Sequence, residues 1–247
     1  MLSIFSMFSN NQTIFILLFI LHTTQTYYVQ CQLISIKPGG LRGFYMLGIS
    51  KYIKTHYDLS KYSFYGASAG AWNSLYLSKK TEDTKIEPFL KTLDTTQLKS
   101  LFELEENLQN YYLTNYNASD FNLDKLNICV SVLQNYKLKK QMFSKFRTLE
   151  DAMQCCIASS HIPYITRRTL YYPYKTHLCI DGGFFPNPHH DHQTPTLLIA
   201  PDMWQNEKTS KHNALTHIEN INITQMIHLG YEDAKTHKQE LDNALLI

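Results

Sequence analysis

The chain has 247 residues, 44% of them hydrophobic, which suits one large α/β domain with a sizeable core. A formal charge of +2, with no lysine- or arginine-rich run, leaves no footprint for nucleic acid. The five cysteines (Cys31, Cys129, Cys155, Cys156, Cys179) are odd in number and lack C-x-x-C spacing, so they read as free or buried thiols, not as a disulfide framework or a zinc site.

The first 36 residues contain no Asp, Glu, Lys or Arg. Their apolar run "IFILLFIL", residues 14–21, is shorter than the roughly 20 residues that span a bilayer. The positive n-region and the small-residue cleavage site of a secretory signal are missing too. Residues 1–30 therefore read as an apolar, uncharged extension, with a membrane anchor or signal-like segment as the alternative. Residues 31–247 read as one domain. Three N-x-S/T sequons, at Asn11, Asn117 and Asn222, matter only on a secretory route and otherwise read as accidental.

Along the domain, "CQLISI" (31–36) is a strand, "PGGLRG" (38–43) a glycine turn, and "FYMLGISKYIKTHY" (44–57) has apolar residues near helical spacing. "YSFYG" (62–66) is a second strand, and "GAWNSLYLSKK" (70–80) is the helix that leaves Ser68. Strand, turn, helix, repeated, argues a parallel sheet flanked by helices. Residues 80–126 are polar and helix-leaning, with "LFELEENLQNYYL" their clearest helical piece, and read as a cover over the site. "NICVSVL" (127–133) is a third strand, and Thr148 with Asp151 forms a capping box opening the helix "LEDAMQCCIASS". "HLCIDGGFF" (177–185) and "TPTLLIAP" (194–201) supply strands four and five. The tail from about residue 213 is helical, in two pieces around Gly230.

Nine glycines are few, and seven of them fall in three short motifs after expected strands: Gly39-Gly40-x-x-Gly43, Gly66-x-x-x-Gly70 and Gly182-Gly183. In open α/β sheets ligands bind at the carboxyl ends of strands, so the three turns can meet around one crevice. "GASAG" is the G-x-S-x-G pattern of a nucleophile elbow, which would expose Ser68 at a tight strand-to-helix turn. The backbone N–H groups of "PGGLRG", at a helix start, are the parts of an oxyanion hole. "DGG" sets Asp181 at a strand end as a candidate base for Ser68.

These residues resemble the patatin-like phospholipases, acyl hydrolases with a Ser–Asp dyad. The resemblance spans about residues 31–200 and rests on "GGLRG", "GASAG", "ASSHIP" (158–163) and "DGG", in that order. "GASAGAWNSLYL" is especially similar to the branch that includes the animal triglyceride lipases. The resemblance implies a three-layer α/β sandwich with a mainly parallel central sheet. It implies Ser68 as nucleophile and Asp181 as dyad base. Gly39, Gly40 and Leu41 match the oxyanion loop, Arg42 its basic residue and Gly43 its closing glycine; Gly66, Gly70, Gly182 and Gly183 support the elbow and the dyad. It further implies no cofactor, no metal, and a phospholipid or acylglycerol substrate at a membrane or lipid-droplet surface, in a membrane-associated intracellular setting with a secretory route left open. One departure stands out. The family opens its loop with Asp-Gly or Gly-Gly, whereas this chain has Lys37-Pro38, and proline has no N–H to donate; the following N–H groups are expected to suffice.

The remaining motifs have plainer readings. "HHDH" (189–192) has ligands adjacent in a Pro-flanked loop, unlike a metal site. Cys155-Cys156 and His161 read as packed residues, Arg42 is open to a helix-capping or ion-pairing role, and the charges of "LFELEENLQ" mark a solvated helix face. Two alternatives compete with a dyad hydrolase. One is a Ser-Asp-His α/β-hydrolase using His217 or His228; the other is an inactive lipid-binding or membrane-anchored scaffold of the same fold.

Overall fold

The computed structural model describes residues 32–93, 98–204 and 222–246. Residues 1–31, with their apolar run, Asn11 and Cys31, lie outside the described residues. So do His217 and the first part of the expected tail helix.

One sheet organises the domain. Strands β1 (Gln32–Ile36), β2 (Tyr62–Ala67), β3 (Leu126–Gln134) and β7 (Leu197–Ile199) run parallel in the order β7-β1-β2-β3. Three antiparallel strands complete it: β4 (Lys137–Ser144) and β6 (His177–Ile180) pair with β3, and β5 (Tyr172–Tyr174) pairs with β6. The mainly parallel expectation thus describes the half of the sheet that carries the elbow, and hairpins extend the other half. β3 reads as a central strand, with Ile128 to Val132 all buried. β4, "KLKKQMFS", buries only Phe143 and holds its edge with lysines, which discourage pairing with another chain.

Helix α1 (Gly43–His56) connects β1 to β2, and α2 (Ala69–Ser78) leaves β2 and packs back onto β1, β2 and β3. α3 (Ile86–Thr92) and α4 (Leu101–Asn115) follow, then α5 (Leu149–Ser160), α6 (Ile223–Thr236) and α7 (Lys238–Leu245). Thr148 caps α5 as expected, its hydroxyl accepting the Asp151 N–H at 3.0 Å. The tail does break in two, but at His237 and not at Gly230. Gly230 lies inside α6, where a Cβ would come within 2.0 Å of the Tyr45 carbonyl oxygen of α1. Gly48 of α1 meets the Ile227 carbonyl of α6 in the same way. The two glycines outside the three motifs are therefore what let α1 and α6 cross at close range.

Two sequons have a structural use. Asn117 caps a 3-10 turn reciprocally with Asp120, and Asn222 caps α6 by accepting the Gln225 N–H at 2.8 Å. Cys129, Cys155, Cys156 and Cys179 are all free and buried. Among the described residues, no helix is long and apolar enough to cross a membrane.

Candidate active site

Strand β3 brings Ser68 and Asp181 together. β4 pairs with β3 along residues 127–134, so β2 and β6 share its opposite edge. β2 approaches along that edge in parallel and ends at Ala67 beside Cys129; β6 approaches antiparallel and ends at Ile180 beside Ser131. Extended by one residue, both registers arrive at Val130. Two strand ends thus face each other across a single residue of their shared neighbour. Gly182 makes the approach possible, since a Cβ there would stand 2.3 Å from the Cys129 carbonyl oxygen.

Ser68 occupies the elbow with φ 55°, a conformation that costs a non-glycine residue energy and is typical of functional turns. The turn is crowded on the far side: a Cβ at Gly70 would lie 2.2 Å from the Ile36 carbonyl oxygen. The Ser68 N–H donates to Ser159 Oγ at 2.8 Å, and Ser159 Oγ donates to the Cys129 carbonyl at 2.6 Å. The Ser68 hydroxyl donates to Asp181 Oδ2 at 2.7 Å.

Asp181 is fixed from three directions. Its N–H donates to the His161 carbonyl at 2.7 Å, its carbonyl accepts from Ser131 Oγ at 2.8 Å, and its Oδ1 accepts the Gly183 N–H at 2.5 Å. Burial pushes its carboxyl up to about 6, against the opposing pull of the Ser68 and Gly183 hydrogen bonds. With Oδ2 held by Ser68 and Oδ1 by Gly183, no histidine ring among the described residues hydrogen-bonds Asp181 or Ser68. His228 is exposed on α6, and His217 lies outside the described residues.

The glycine loop forms a 3-10 turn, Gly40–Arg42, directly against the elbow: a Cβ at Gly43 would stand 2.6 Å from Ala69 Cβ. The Arg42 N–H is spent on the Gly39 carbonyl at 3.0 Å, and the Gly43 N–H on the Gly40 and Leu41 carbonyls. Of the expected loop, Arg42 and Gly43 are therefore supports and not donors. The N–H groups of Gly40 and Leu41 make no hydrogen bond among the described residues, and both residues line the same cavity as Ser68. Gly39 sits behind them, packed against Met46, and Pro38 is packed against Gly183.

That cavity, open to solvent, runs between α1, α2, α3 and α4, and its lining is almost wholly apolar. The expected cover, residues 80–126, supplies one wall: Ile86, Leu90, Leu101, Leu104 and Leu108 all face it. One residue there overturns its expected role. Glu105 is not on a solvated face; it is 5% exposed, lines the cavity, and accepts from Ser160 Oγ at 2.7 Å. Burial pushes its carboxyl up to about 7. The signal was present in the spacing, because Leu101, Leu104, Glu105 and Leu108 fall on one helical face.

His161 is fully buried with Nδ1 3.2 Å from Thr166 Oγ1, and burial lowers its pKa. The "HHDH" loop is divided: His189 Nδ1 meets Ser35 Oγ at 2.9 Å, His190 and His192 stack, and Asp191 pairs with Lys140 at 2.6 Å. Arg42 makes no ion pair among the described residues, and its Nε is buried without a partner.

The model of the patatin-like phospholipase family matches residues 34–191, from β1 through the histidine loop, and so spans all three glycine motifs. No curated protein matches the chain.

Proposed function

The chain belongs to the patatin-like phospholipase family, and from that premise we propose that it is a lipid acyl hydrolase that works through a Ser68–Asp181 dyad on glycerolipid esters at a membrane or lipid-droplet surface. The observation that carries this reading is the 2.7 Å hydrogen bond from Ser68 Oγ to a buried carboxylate at the mouth of an apolar cavity.

The chemistry follows from the groups in place. Ionised Asp181 takes the Ser68 proton as Oγ attacks the ester carbonyl carbon. The carbonyl oxygen becomes an oxyanion, and the N–H groups of Gly40 and Leu41 receive it; one such donor is worth about 3–4 kcal/mol in the transition state. Asp181 passes the proton to the leaving alcohol as the C–O bond breaks, leaving an acyl-Ser68 ester. Water then gives a proton to Asp181, attacks the acyl carbon and releases the fatty acid, and Ser68 recovers its proton. The absence of an N–H at Pro38 leaves this scheme intact, since both donors lie further along the turn.

Fatty-acid release from mixed phospholipid and triglyceride vesicles tests the proposal directly. Wild type is expected to release acid, and both Ser68→Ala and Asp181→Asn to fall to background. Release by Asp181→Asn at the wild-type rate would remove the dyad. A wild type that releases nothing and leaves Ser68 unlabelled by a fluorophosphonate would instead favour the inactive scaffold.

A further inference from the structure

Glu105 is the one charged side chain in the cavity lining, and it marks a polar end beside Ser68. Along α2, Ser68, Ala69, Trp72 and Tyr76 line it in succession, and along α4, Glu105, Leu108 and Tyr112 do the same. Glu105 is tied to the Ser68 end through Ser160, whose neighbour Ser159 holds the Ser68 backbone. Tyr76 and Tyr112 line the cavity about two helical turns beyond Ser68 and Glu105 on the same two helices. An acyl chain attached to Ser68 therefore runs towards Tyr76 and Tyr112, and the leaving alcohol stays near Glu105, Ser160 and Thr166.

Arg167 stands beside that polar end, on the loop that follows Thr166. Its guanidinium is held by rings and not by hydrogen bonds: it lies 4.5 Å from the Phe102 ring centroid and 5.4 Å from that of Tyr172. Its nearest carboxylate oxygen is Glu105 Oε2, at 3.6 Å, too far for a hydrogen bond. Glu105 Oε2 and Arg167 Nε are both buried without a hydrogen-bond partner, and the Arg167 side chain makes no hydrogen bond among the described residues. A guanidinium carries five N–H donors in a planar fork that matches the oxygens of a phosphate. Here that fork is pre-positioned and unspent, and its side chain is still 23% exposed.

We infer that Arg167 is a specificity-determining residue that binds a phosphate on the leaving-alcohol side of the ester, so that the substrate is a phosphate-bearing acylglycerol and not a neutral one. This rests on the acyl-hydrolase reading above. Glu105 is the resting counter-ion, and its long contact yields to the shorter, two-pronged contact a phosphate makes. The selectivity comes from a loop residue outside the catalytic motifs, so those motifs do not encode it.

The test measures binding to Ser68→Ala protein by calorimetry, with two ether lipids that cannot be hydrolysed: 1-O-hexadecylglycerol 3-phosphate and 1-O-hexadecylglycerol. The phosphate probe is expected to bind at least about tenfold more tightly, the preference to fall close to one with Arg167→Gln added, and Arg167→Lys to recover only part of it. Equal affinity for the two probes, no binding of either, or a preference that survives Arg167→Gln would overturn the inference. Inorganic phosphate is the third arm; competition at the affinity of the lipid would show an anion site and overturn the assignment to a headgroup. Thermal melting of each variant separates lost binding from lost fold. Failure of the hydrolase reading appears elsewhere, as absent fatty-acid release by wild type, which this assay does not require.

Discussion

Ser159 joins Ser68 to the sheet. Its hydroxyl accepts the Ser68 N–H at 2.8 Å and donates to the Cys129 carbonyl at 2.6 Å, so one buried oxygen ties the elbow to β3 at the point where β2 ends. The position of Ser68 against Asp181 is thus set from behind, by a side chain that does not line the cavity.

Ser159→Ala would leave both the Ser68 N–H and the Cys129 carbonyl buried and unpaired. Each unsatisfied group costs about 1–3 kcal/mol. The variant is expected to melt several degrees below wild type and to lose turnover through kcat and not KM, since the acyl cavity is untouched. Unchanged melting together with unchanged kcat would show that the elbow needs no such tie.

The pH dependence of turnover follows from Asp181. Its carboxyl, pushed up to about 6 by burial, must be ionised to take the Ser68 proton. On an uncharged ester, kcat/KM is expected to rise with pH and to reach half its limit near pH 6. Glu105, pushed up to about 7 and close enough to act on Asp181, broadens that rise. A profile flat from about pH 5 to pH 8 would remove Asp181 from the base role.

The same group sets a stability cost. In the folded chain Asp181 titrates near 6 instead of 3.8, so the folded state holds a proton that the unfolded state has already released between those values. Stability therefore falls as pH rises through this window, and the charged carboxylate costs up to about 3 kcal/mol at pH 7. Asp181→Asn is expected to abolish turnover while raising the melting temperature at pH 7, with the gain shrinking towards pH 4. A lower melting temperature at pH 7 would mean that the Ser68 and Gly183 hydrogen bonds outweigh the burial of the charge.

The three glycine motifs were legible in the sequence because each depends on local backbone geometry. A tight elbow and a close-approaching strand end require glycine, and this chain places glycine at few other sites. What the local pattern could not show is pairing at a distance. β4 reads as a polar, lysine-rich segment because it lies at an edge, and the Asn135-Tyr136 turn that returns it holds both residues at positive φ, unusual for a tyrosine. β5, three residues long, exists because β6 pairs with it. Glu105 was hidden by its charge, although its helical face is otherwise leucine. Gly48 and Gly230 carried no local motif, because their reason is a partner helix far away in sequence.

That helix pair gives a direct check. A Cβ on Gly48 would stand 2.0 Å from the Ile227 carbonyl oxygen, which no side-chain movement relieves. Gly48→Ala is expected to push α1 and α6 apart and to cost about 1–3 kcal/mol, the usual range for forced overpacking. Chemical denaturation measures this. A loss below about 0.5 kcal/mol would show that the two helices can separate freely.

The cavity gives the last expectation. Leu108 lines it between the Glu105 end and the Tyr112 end, so a larger side chain there blocks the path of a long acyl chain before it blocks a short one. Leu108→Trp, on a partly exposed helical position, adds bulk without opening a hole in the core. With a series of acyl esters that differ only in chain length, the variant is expected to lose more than about tenfold in kcat/KM on the longest members relative to the shortest. A uniform loss across the series would mean that the chain does not pass Leu108. The acyl group would then lie along a different wall, and the leaving-group side assigned to Arg167 would have to be drawn again.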